Sequence, residues 1–162
     1  MKKFLLAVAV FAMVAVLAET ASAQASATQT LTLSVASIWR ISTSGPVTMA
    51  ITTADPGSDA LTSVTNSATT YSITHNNGAA ARITAGLSPV MPANTSLTVA
   101  LASVRGTSAG TVNLSDGTAR NVVTGIGRGG DPGRTISYTF GATADADAFS
   151  QNFTVTYTLT AP

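Results

Sequence analysis

Phe153-Thr154-Val155-Thr156-Tyr157-Thr158-Leu159-Thr160 alternates without a break, with apolar side chains at the odd positions and threonine at the even ones. Successive side chains of an extended chain point to opposite faces, so this stretch reads as a strand with one dry and one wet face. Threonine suits the wet face because its β-branch fits a pleated surface. The same period of two recurs upstream. Leu31, Leu33 and Val35 alternate with Thr30, Thr32 and Ser34, and Val47, Met49 and Ile51 with Thr48 and Ala50. Tyr71 and Ile73 follow, then Ile83, Ala85 and Leu87, then Leu97, Val99 and Leu101, then Ile136, Tyr138 and Phe140. No apolar pattern of period 3.6 persists anywhere after residue 24.

Turn signals separate the runs: Ser44-Gly45-Pro46, Asp55-Pro56-Gly57, Asn76-Asn77-Gly78, Asp116-Gly117 and Gly129-Gly130-Asp131-Pro132-Gly133. Short strands at this spacing predict an all-β fold, an antiparallel two-sheet β-sandwich of about eight or nine strands. A closed barrel is the alternative.

The chain opens with Lys2 and Lys3, an apolar run over residues 4–17 and then Ala21-Ser22-Ala23. This is the three-part pattern of an export signal, with cleavage expected after Ala23. The apolar run is shorter than the roughly 20 residues a membrane-spanning helix needs. Residues 24–162 are then expected to form a single secreted β-sandwich domain, extracellular, at the cell surface or in a periplasm. An outer-membrane barrel would need tall lipid-facing bands and two aromatic girdles, and aromatics make up only 6% of the chain.

Export would remove both lysines and Glu19. Arg40, Arg82, Arg105, Arg120, Arg128 and Arg134 then balance Asp55, Asp59, Asp116, Asp131, Asp145 and Asp147. Nucleic acid is an unsuited partner, because phosphate binding needs a concentrated excess of cations. There is no cysteine, so no disulfide restricts the unfolded chain. Sparse charge also removes the usual guard against strand edges pairing between molecules.

Catalytic motifs fail on inspection. Gly106-Thr107-Ser108-Ala109-Gly110 matches G-x-S-x-G, but a nucleophile elbow needs a helix after the serine and a histidine later in the chain. Here a strand or loop follows, and His75, the single histidine, comes earlier; a flexible loop between strands is the expectation. Zinc would lack a ligand set. The Asp145-x-Asp147 pair and the loop holding Asp55 and Asp59 show neither EF-hand spacing nor its glutamate, and read as solvated acidic turns. No two aspartates share a strand face as a general acid and base would require. The chain is expected to be no enzyme and to use no cofactor.

The closing strand, with Tyr157, Leu159, Ala161 and Pro162, resembles that of WxL-type bacterial cell-surface domains, which end in a W-x-L strand followed by an acidic or small residue and proline. Tyr157 stands where that family has tryptophan, Leu159 matches its leucine, and Trp39-Arg40-Ile41 loosely echoes its other motif. The resemblance implies a non-catalytic surface protein attached to peptidoglycan.

Two functions fit these readings. One is a structural protein of the cell surface or extracellular matrix, a fibre subunit whose partner is itself. Residues 27–35, carrying Leu31, Leu33 and Val35 without a charge, either fold back as the first strand of their own sandwich or complete a neighbour's sheet as a donor strand. The other is a module binding a glycan or cell-wall polymer. It would use Trp39, the single tryptophan and otherwise a core anchor, or Arg128 and Arg134 in a mobile glycine-rich loop over residues 125–134.

Overall fold

The computed structural model describes residues 25–162. The expected export signal, residues 1–23, lies outside them. The chain divides into two units, Met1–Val35 and Ala36–Pro162. Of the first, residues 25–35 are described; they form no strand, and Leu31, Leu33 and Val35 are 73%, 87% and 85% exposed. The first strand expected over residues 27–35 is thus absent among the described residues, where no ladder includes its backbone.

The second unit is a two-sheet antiparallel β-sandwich. Its strands are β1 (Trp39–Thr43), β2 (Val64–His75), β3 (Ala81–Ser88), β4 (Thr95–Leu101), β5 (Thr107–Ser108), β6 (Val112–Asn113), β7 (Arg120–Ile126), β8 (Gly129–Ala142) and β9 (Thr154–Thr160). One sheet runs β1-β2-β8-β4-β6 and the other β5-β7-β3-β9. The core forms where the inward faces meet: Tyr71 and Ile73 of β2, Ile83, Ala85 and Leu87 of β3, Val99 and Leu101 of β4, Val122 and Val123 of β7, Ile136 of β8, and Leu159 of β9. Each fully buried aliphatic side chain contributes about 1.5–3 kcal/mol relative to exposure.

Two departures from regular alternation organise the sandwich. In β7, Ile83 faces Val123 and Thr84 faces Asn121, so Val122 is an inserted residue. The bulge re-aims the chain there, and two consecutive valines are both fully buried. In β8, Tyr71 faces Arg134 and Ile73 faces Asp131, so Pro132 and Gly133 together stand opposite Ser72. Pro132 has no N–H to give the ladder, and the bulge is where its absence does least harm. Gly133 N–H donates to Ser72 Oγ at 3.0 Å instead.

This corrects the reading of residues 125–134 as a mobile glycine-rich loop: its second half opens β8, the central strand of the larger sheet. Gly129 makes that possible. Its φ is +125°, and a Cβ there would lie 2.8 Å from the Arg105 guanidinium, which donates to the carbonyls of Gly130 at 2.6 Å and Arg128 at 2.8 Å.

The segment 47–51, expected as a strand, keeps its alternation without a ladder. Val47, Met49 and Ile51 are half-buried, Thr48 and Ala50 exposed. Among the described residues, none of residues 45–52 takes part in a backbone hydrogen bond or bridge. It is an extended stretch with no strand beside it.

Candidate functional site

Gly106-Thr107-Ser108-Ala109-Gly110 is neither an elbow nor a flexible loop. Thr107 and Ser108 form β5 and pair with Thr124 and Val123 of β7. Ser108 Oγ accepts the Gly110 N–H at 3.1 Å, closing a local turn rather than facing a histidine. Gly106 is required by close approach, since a Cβ would stand 2.7 Å from both the Thr124 carbonyl oxygen and Ile126 Cγ1. Gly106→Val is expected to cost about 1–3 kcal/mol by overpacking against backbone, read from the midpoint of a urea transition.

Trp39 opens β1. Its ring stacks on that of His75, with centroids 5.2 Å apart and planes 11° from parallel. His75 ends β2, as its position before Asn76-Asn77-Gly78 predicts, yet it is 1% exposed. Its Nε2 lies 3.0 Å from the Gly127 carbonyl oxygen, and Nδ1 has no partner among the described residues. The register sets Trp39, His75 and Gly129 side by side across three strands, so Trp39 and the Arg128 region meet at one end of the larger sheet.

Arg134 does not join them. Its Nε donates to Asp131 Oδ1, and Asp131 is 1% exposed, with Oδ2 accepting the Val104 N–H at 3.4 Å. Arg128 is exposed, and its side chain makes no hydrogen bond or ion pair among the described residues. The aspartate loops come together unexpectedly: Ala144 N–H donates to the Asp59 carbonyl oxygen at 2.9 Å, and Asn94 Nδ2 to that of Asp145 at 3.1 Å. Both contacts use the aspartates' backbone carbonyls and not their carboxylates, and no three histidine or carboxylate side chains converge among the described residues.

A groove of about 510 Å³ lies elsewhere within the Ala36–Pro162 unit. Residues 43–47 and Met49 line it, as do the outer strand β9, through Val155 and Tyr157, and the chain just before β9, through Phe149 and Phe153. The opposite sheet contributes Thr69, Leu97, Ile136, Tyr138 and Phe140. Phe149 meets Phe140 and Phe153 edge to face, at centroid distances of 6.2 and 6.1 Å. The hydroxyls of Tyr138 and Tyr157 are 2.7 Å apart and bridge the two sheets. Burial pushes both phenols above their ordinary range.

Every one of these side chains is uncharged, and the apolar ones on β9 and at Val47 and Met49 are only half-buried. Thr69 is 8% exposed, and its Oγ1 has no partner among the described residues. Sequence reasoning missed the groove because it is assembled from six stretches far apart in the chain. The one available signal was the alternation of Val47, Met49 and Ile51. No helix among the described residues is long and apolar enough to cross a membrane. Against protein-family models, curated proteins and solved structures, the chain finds no match.

Proposed function

We propose that this chain is a non-catalytic, secreted structural subunit that assembles with copies of itself through strand pairing, at a cell surface or in an extracellular matrix. One observation carries the reading: Leu31, Leu33 and Val35 lie on one face of an uncharged, alternating segment, 73–87% exposed and outside any ladder. Single exposed aliphatic residues are ordinary, whereas a neutral alternating row with an unpaired backbone is the feature that folded proteins usually suppress. Burying three such side chains contributes several kcal/mol at about 1.5–3 kcal/mol each, and ladder hydrogen bonds add to that. The export pattern and the WxL-like closing strand agree with an extracellular role.

Light scattering after size exclusion, with electron microscopy, is the test. A chain beginning at Gln24 is expected to form large oligomers or filaments, and one beginning at Ser37 to remain monomeric and folded. A monomeric longer chain, or assembly that survives the truncation, overturns the reading.

A further inference from the structure

We infer that the groove between β9 and residues 47–51 is an acceptor for residues 29–35 of a second copy, which enters as an added strand with Leu31, Leu33 and Val35 facing into it. This rests on the self-assembly reading and names its other half.

Four observations converge. First, β9 is the outermost strand of its sheet, so one of its edges has no strand hydrogen-bonded to it, although β1 passes close by. Residues 45–52 likewise make no backbone hydrogen bond among the described residues, so the two stretches that line the groove both offer unpaired backbone. Unpaired backbone groups away from water are costly, and a strand laid between them would satisfy both sides. Second, the groove is lined from the opposite sheet by Ile136, Tyr138 and Phe140, and its apolar residues on β9 and at Val47 and Met49 are half-exposed. Ile136 and Tyr138 are themselves buried, so the apolar surface the groove still offers is that of β9, Val47, Met49 and Phe140. The groove's volume of about 510 Å³ exceeds what one side chain fills.

Third, neither surface carries a charge. No Asp, Glu, Lys, Arg or His lines the groove, and none occurs in residues 25–36. Desolvating the two against each other therefore buries no ion. Fourth, Thr69 Oγ1 is buried and unpartnered among the groove residues, a polar atom that an incoming hydroxyl or backbone group can satisfy. Period two in the segment supplies the match in chemistry: alternate apolar residues face inward while Thr30, Thr32 and Ser34 face solvent.

Donor and acceptor are different patches of one chain, so the contact is heterologous. Such contacts, unless two copies exchange segments reciprocally or the rotation makes a ring, propagate as a polar head-to-tail filament.

The test is complementation between two disabled full-length chains beginning at Gln24. Leu33→Asp puts a charge on the donor face; Met49→Asp puts one in the groove, on a stretch that no ladder depends on. Val155→Asp is the second groove variant, and circular dichroism checks that each folds. Each variant alone is expected to be monomeric, and a 1:1 mixture of donor and groove variants to give a dimer of twice the mass and nothing larger. If folded groove variants assemble as the wild type does while Leu33→Asp does not, strand-mediated assembly stands and the groove assignment falls. If Leu33→Asp assembles as the wild type does, both fall.

Should neither groove variant fold, disulfide trapping decides, on a background with no native cysteine. Leu33→Cys and Met49→Cys chains carrying tags of different size are expected to crosslink to each other on mild oxidation. No crosslink between chains overturns the acceptor site.

Discussion

Arg134→Met is expected to lower stability by about 3–5 kcal/mol, the cost of leaving a buried carboxylate without its partner. For a domain of this size, that moves the thermal midpoint by roughly 10 °C. Asp131 is 1% exposed, and the only other hydrogen bond to its carboxylate among the described residues is from the Val104 N–H at 3.4 Å. The pair is asymmetric. Arg134 keeps about a third of its side chain in water, so it can turn outward if the carboxylate is removed; Asp131 has no such escape. Asp131→Asn should therefore cost less than Arg134→Met, and the double variant should be more stable than Arg134→Met alone. That sign of coupling is measured by a double-mutant cycle in urea. If Arg134→Met is neutral while anionic polysaccharide binding is lost, the arginine serves a ligand and not the sheet.

The same pair shows why part of this molecule was illegible from its sequence. In a regular strand, residues i and i+3 point to opposite faces and lie about 10 Å apart along the chain, so Asp131 and Arg134 have no reason to be read as partners. Gly129-Gly130-Asp131-Pro132-Gly133 carries every mark of a surface turn. The chain instead uses Pro132 and Gly133 as a bulge inside the central strand, which brings the charges together and buries one. β7 was hidden for a related reason: Val122 and Val123 are both buried because of a bulge, which erases the alternation that would have announced the strand. Short β5 and β6 offer too few residues for any period to show.

What was legible follows period two wherever the ladders run without irregularity. β9 pairs with β3 from Thr154 against Ser88 to Thr160 against Arg82, and β4 with β8 from Thr95 against Ala142 to Leu101 against Ile136, with no slip in either. There the pattern gave the fold class and the inward faces directly. It also marked residues 31–35 and 47–51 as strand-like, two stretches that have no ladder within the described residues. Period two reports the fitness of a segment to be a strand, not the identity of its neighbour. The two alternating stretches without a ladder are the donor and one flank of the acceptor in the proposed contact.

Alkali is expected to destabilise this protein above pH 10. The chain has three tyrosines, Tyr71, Tyr138 and Tyr157, and burial is the first cause raising the phenol of each above its ordinary value near 10. For Tyr71 the nearby Asp131 charge adds to this; for Tyr157 the hydrogen bond with Tyr138 does. A group whose folded pKa is raised holds its proton longer in the native state than in the unfolded one. Its stabilisation is complete below the unfolded value and is lost as pH rises from there toward the folded one. Each such group lowers stability only between its unfolded value near 10 and its own folded value, by at most about 1.4 kcal/mol per pH unit within that window. A chain beginning at Gln24 has no lysine or cysteine to titrate in this window, and arginine stays charged, so the slope belongs to the tyrosines. Urea midpoints between pH 9 and 12 measure it, with tyrosinate absorbance appearing together with unfolding and not before. Tyr157→Phe should reduce the slope. Tyrosinate absorbance that rises near pH 10 while the circular dichroism of the fold is unchanged would mean these hydroxyls reach water, and would remove the tyrosine pair as a buried bridge between the sheets.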